Sequence, residues 1–110
     1  MASVFPGMIR KLPQADIPFN GIQGWISQSD NHQVVFMEIE PIGKVAEHSH
    51  GAQWGIVVKG EMKLTIDGIT NIYRKGDHYF IPEGIIHSAE FTEKTYVIDY
   101  FADRERYKRK

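Results

Sequence analysis

At 110 residues the chain is the size of one domain, and its 42% apolar and 25% charged residues are ordinary globular values. A net charge of -1 excludes the electrostatic footprint of a nucleic-acid-binding protein, and no apolar run approaches the ~20 residues of a membrane span. The absence of cysteine excludes disulfides and thiolate ligands, so any metal site must use imidazole, carboxylate, amide or water.

In chain order, residues 1–20 carry three of the five prolines and read as an arm or an irregular edge strand. The start, Met1-Ala2-Ser3-Val4-Phe5, lacks the basic region and apolar stretch of a signal peptide, so the expected location is cytoplasmic. Gln33 to Glu40 alternates, with Val35, Met37 and Ile39 on one face. Gln53 to Lys59 is apolar and β-branched until Gly60 breaks it. Glu61 to Asp67 alternates again, with Met62, Leu64 and Ile66 on one side.

Asp67-Gly68 is a hairpin signal, and Ile69 to Arg74 is the return strand. Further strands are expected at Asp77 to Ile81, His87 to Thr92 and Thr95 to Phe101. Only Asp103 to Tyr107 reads as a helical turn, and the basic tail from Arg104 to Lys110 reads as a solvated terminus. Strand runs punctuated by turns every few residues predict a small antiparallel barrel or sandwich in a single all-β domain.

His48 and His50 are one residue apart, so on a strand both rings project from the same face. Gln53 heads the next strand, and His87 follows the turn residues Pro82-Glu83-Gly84. If the barrel closes, three imidazoles and an amide meet inside it as a half-cage for a divalent metal, with positions left open. His32 and His78 fit no ligand position and read as ordinary polar residues.

Residues 43–60 read Gly43-x4-His48-x-His50-x2-Gln53-x6-Gly60, and residues 76–87 read Gly76-x5-Pro82-x-Gly84-x2-His87. These resemble the two motifs of the cupin superfamily, which implies a jelly-roll barrel over 30–101 between the arm and a tail at 102–110. Three departures stand out. The first motif is short on both sides of the His pair, Phe91 stands where an Asn often closes the second, and Gln53 replaces the usual Glu ligand. An amide in place of a carboxylate leaves the ion its full formal charge, which favours an anionic ligand.

Among small cupins this ligand set is similar to that of enzymes that convert unsaturated uronic acids to their linear keto form. The resemblance implies a chain ending of Asp-x-Phe followed by Arg, met here by Asp99, Phe101 and Arg104, the last one residue nearer than the family spacing. Asp99 would then move a proton and Arg104 would clamp a substrate carboxylate. The bland alternatives are that Asp99 caps a strand pair and Arg104 belongs to the solvated tail.

Three functional classes stay open: a metal-dependent isomerase or lyase on a small anionic, sugar-derived substrate, an Fe(II) dioxygenase, and a non-catalytic ligand-binding module. The expected cofactor is a divalent ion, Ni, Zn, Fe or Mn, with its identity left open by the sequence. Trp54, Ile56 and Val58 lie opposite Gln53 in the alternation, and they pack either within the chain or in a homodimer interface.

Overall fold

The computed structural model describes residues 3–110. A short helix α1 (Gly7–Arg10) and a two-residue strand β1 (Ala15–Asp16) precede the main strands. These are β2 (Ile22–Gln28), β3 (Gln33–Ile39), β4 (Gly43–His48), β5 (Gln53–Lys59), β6 (Glu61–Ile66), β7 (Ile69–Arg74), β8 (His78–Ile81), β9 (His87–Phe91) and β10 (Thr95–Phe101), with β11 (Lys108–Arg109) at the end. A five-stranded sheet in the order β2-β3-β10-β5-β8 faces a four-stranded sheet in the order β4-β9-β6-β7, and β1 pairs with β11. All pairings are antiparallel. No helix among the described residues is long and apolar enough to cross a membrane.

The alternation read from the sequence packs as expected: Val35, Met37 and Ile39 from one sheet and Met62 and Leu64 from the other are buried in one core cluster. Asp67 and Gly68 both take positive φ, 49° and 78°, the left-handed pair that matches a two-residue turn to the twist of its strands.

Two of the main strands, and the two-residue β11 in the tail expected to be a solvated terminus, lie outside the sequence expectation. Ile22–Gln28 carries a buried triplet Gly24-Trp25-Ile26 instead of alternation, because Trp25 is covered on the outer face by Phe5 and Arg10. Gly43–His48 has a single buried apolar residue, Val45, too weak a pattern to read. The stretch Asp103–Tyr107 forms turns and bends, not a helical turn.

The N-terminal segment is a cover rather than a free arm. Phe5 packs edge-on against Trp25, Phe36 and Tyr96 on the outer face of the five-stranded sheet. Glu38 secures it by accepting from Ser3 Oγ and from Arg10 at 3.1 Å.

The chain end is tied down from inside. Gln33 is fully buried, and its Nε2 donates to Tyr107 O at 2.9 Å and Arg104 O at 3.3 Å while Oε1 accepts from Tyr107 N–H at 3.1 Å. Replacing Gln33 by Leu strands these backbone groups without partners, each costing about 1–3 kcal/mol. Gln33→Leu should therefore lower the melting temperature and open the segment after Phe101 to limited proteolysis. Unchanged stability and cleavage would show that water replaces the amide without cost.

Candidate metal centre

One end of the barrel gathers His48, His50, Gln53 and His87. The chain leaves β4 at His48, crosses between the sheets through 49–52 and enters β5 at Gln53. His87 opens β9 directly opposite His48, and β10 ends with Phe101 opposite Gln53. Strand alternation alone does not align the His pair as expected. His48 is the last residue of β4 after a register shift, and His50 lies beyond the strand, so the bend after His48 completes the convergence.

The three rings close on one another. Centroids of His48 and His87 are 4.3 Å apart, His50 and His87 4.8 Å, and His48 and His50 5.4 Å. One ring nitrogen from each lies within 4.8 Å of the other two.

Each Nδ1 is engaged by a main-chain carbonyl: His48 by Ala46 O at 2.9 Å, His50 by Gly51 O at 2.8 Å and His87 by Ile85 O at 3.0 Å. A carbonyl can only accept, so each Nδ1 carries a proton and Nε2 is the ring nitrogen left to take an ion. Nε2 of His50 is buried with no hydrogen-bond partner in the protein. Burial is the main cause that pushes His50 from 6.5 down to about 4, with the charge on Arg106 adding to it, and burial likewise lowers His87. Neutral, oriented imidazoles with an orphaned lone pair are the donor set a divalent ion takes.

Gln53 is buried on the same cavity wall, and its side chain donates to Asp99. Asp99 points inward and is buried, and its Oδ1 accepts from Tyr79 OH at 2.6 Å. The two residues flank Gly55 on neighbouring strands, since Gly55 pairs with Asp99 on one side and with Tyr79 on the other. A Cβ at Gly55 would collide with both side chains. The glycine thus clears the floor on which side chains two strands apart, about 9.6 Å in backbone, can meet. Burial raises Asp99 from 3.8 to about 6, opposed by the bonds from Tyr79 and Gln53 and by Arg106.

Arg104 takes no part in this site. It is exposed, and its backbone carbonyl is its tie to the fold. The turn after Phe101 carries the chain past the rim, and Arg106 lines the cavity instead. Its guanidinium stacks 4.3 Å from the Tyr107 ring centroid and 5.6 Å from that of Phe101, and its Nε is buried without a partner. Sequence reasoning missed Arg106 because turns have no periodicity. It also missed Tyr79, although the inward register of β8, shared with buried Ile81, carried a signal for it. The rest of the cavity wall is apolar, including Met37, Ile39, Val45, Met62 and Val97.

A closed antiparallel sandwich with a mouth of inward histidines defines a small β-barrel with a candidate metal centre. The family described as cupin domain matches residues 35–99, more than half of the chain, and the chain belongs to that family. Among solved structures it is similar to KdgF from a Halomonas species, at 24% identity and TM-score 0.76 over 96% of this chain and 97% of that one. It is also similar to an RmlC-like cupin from Shewanella frigidimarina, at 25% identity and TM-score 0.78 over 94% and 95%. An oxalate decarboxylase variant from Bacillus subtilis matches at 20% identity and TM-score 0.74, over 87% of this chain and 28% of that one. No curated protein sequence gives a significant match.

The raised Asp99 carboxyl has a consequence for stability. The folded state binds this proton more tightly than the unfolded chain, so its contribution is fully present below pH 3.8 and is lost as pH rises through about 6. The loss amounts to about 3 kcal/mol in the metal-free protein. Asp99→Asn should therefore raise the melting temperature of the metal-free protein at pH 8 and change it little at pH 4. Equal shifts at the two pH values would mean that Asp99 is not held against its ionisation.

Proposed function

We propose that the chain is a metal-dependent isomerase or lyase acting on a small, sugar-derived carboxylate, with the ion held by His48, His50 and His87 through Nε2 and by Gln53 through Oε1. The observation that carries the reading is the pairing, at one mouth, of three converging imidazoles with a buried carboxyl whose pKa burial raises to about 6. A bound divalent ion would act as a Lewis acid toward a substrate oxygen.

The remaining chemistry belongs to the protein. Arg106 binds the substrate carboxylate, its guanidinium held flat by the rings of Tyr107 and Phe101. The apolar walls keep water from the reacting atoms. Asp99 is the proton carrier. It takes the proton from a ring hydroxyl as the hydroxyl becomes a carbonyl and the ring carbon–oxygen bond breaks to leave an enolate, and it returns that proton to carbon as the enolate becomes a ketone. Nothing is gained or lost overall, which is an isomerisation. The resemblance of the ligand set and chain ending to cupins that linearise unsaturated uronates supports an unsaturated uronate as substrate, with Arg106 in the role first expected of Arg104.

The test is the loss of ultraviolet absorbance from an unsaturated uronate, followed with metal-loaded protein in air and under anaerobic conditions. Turnover should be equal in both. Asp99→Asn should lower kcat by about 10²-fold or more, whereas Arg106→Ala should chiefly raise KM. Turnover that needs oxygen would transfer the site to a dioxygenase. Binding without turnover of any uronate would make it a ligand-binding module.

We also propose that two copies associate through the outer face of the five-stranded sheet. Trp54, Phe80 and Tyr100 stand side by side in register there and are 42%, 57% and 43% exposed. His78 stacks on Trp54 and His32 on Tyr100, and no Lys, Arg, Asp or Glu interrupts these rows. An uncharged apolar face can meet its own copy about a two-fold axis without like-charge repulsion. Sedimentation should give a dimer for the wild type and a monomer for Trp54→Asp. A monomeric wild type at micromolar concentration would refute the interface.

A further inference from the structure

The segment after β10 does more than carry Arg106. It also reaches the loop between the candidate ligands His50 and Gln53. The carboxylate of Asp103 accepts the backbone N–H of Gly51 at 2.8 Å through Oδ2, and Ala102 N–H donates to Ala52 O at 2.9 Å. A Cβ at position 51 would run into the Asp103 carboxylate, so the contact exists only because this residue is glycine. Both polar groups of Gly51 are then committed. Its N–H goes to Asp103, and its carbonyl receives the Nδ1 proton of His50 at 2.8 Å. On the other side of the loop, Gly84 N–H donates to His50 O at 2.9 Å, joining it to the turn that leads to His87.

We infer that Asp103 is a positioning residue for the metal centre: by fixing Gly51 it holds the carbonyl that sets the tautomer and orientation of His50. The inference rests on the metal-centre reading. His50 lies beyond the end of β4 and has no strand pairing to orient it, unlike His48 and His87, which face each other across the β4–β9 ladder. Its ring direction therefore depends on the loop, and the loop depends on Asp103. The anchor is itself rigid, because Gln33 grips residues 104 and 107 from the core and β11 pairs with β1. Partners of this kind, which orient a ligand without touching the ion, are typically worth about 10–100-fold in metal affinity.

The experiment is calorimetric titration of Ni(II) into metal-free wild type, Asp103→Ala, Asp103→Asn and Gly51→Ala, each first checked for an intact fold by its metal-free melting curve. Asp103→Ala should weaken Ni(II) binding about 10–100-fold. Asp103→Asn should stay within about threefold of wild type, because its amide oxygen still accepts from Gly51. Gly51→Ala, which leaves the carboxylate in the chain but displaces it, should match Asp103→Ala and serves if the latter fails to fold. Linkage is reciprocal, so Ni(II) should also slow exchange of the Gly51 amide in the wild type. Asp103→Ala binding as tightly as wild type, or Asp103→Asn as weakly as Asp103→Ala, would overturn the positioning role and leave the metal centre standing. A wild type that does not bind Ni(II), Zn(II), Fe(II) or Mn(II) would overturn the metal centre, and the positioning role with it.

Discussion

Three imidazoles share one mouth of this barrel, and the structure around them follows from the condition that they point the same way. Burial lowers the pKa of His50 and His87, and the positive charge of Arg106 adds to it. A neutral imidazole still has one N–H to satisfy. In each of the three rings a carbonyl two residues or fewer away takes it. The turns that hold Ala46, Gly51 and Ile85 in place are thereby part of the site, and the lone pairs are left facing one another. That is an unfavourable arrangement unless an ion fills it.

The second cost is the buried carboxyl of Asp99. A fold selected for stability alone would place an apolar residue on this strand position, as it does at Val97 and Phe101 on the same face of β10. Instead a glycine stands on β5, between the strands of Asp99 and Tyr79, and lets Tyr79 reach across and stabilise the charge. A glycine in a strand interior forfeits packing, and a buried acid resists ionisation. Local departures from the best-packed solution, set beside a cluster of metal-binding type, mark a place where the chain gives up stability for a site.

The two outer faces of the sandwich differ in the same way. Lys44, Lys63, Glu61 and Glu90 give the four-stranded sheet a charged exterior, as expected of a face in water. The five-stranded sheet has an aromatic exterior, half covered by Phe5 and its neighbours, with Glu38 anchoring the cover through Ser3 and Arg10. Its uncovered half continues the same apolar surface. Exposed apolar sheet faces of this kind are the surfaces that interaction sites use.

The sequence by itself determined the all-β class, most strands, the Asp67–Gly68 hairpin and the identity of the three histidines, because alternation, turn chemistry and ligand spacing are local properties of the chain. Seven strands were legible on this basis. Ile22–Gln28 was not, since a strand covered on both faces loses its alternation, and Gly43–His48 was not, since it buries too little. Tertiary structure alone decided which arginine enters the cavity, which side chain supports Asp99 and what orients His50. Arg104 and Arg106 differ only by their places in an aperiodic turn, and nothing local distinguishes them. Tyr79, Gly55 and Asp99 meet because three strands far apart in sequence stand in one register, and Asp103 meets Gly51 because the chain end folds back over the mouth. Periodicity tells which way a residue faces. Only the closed barrel tells what it faces.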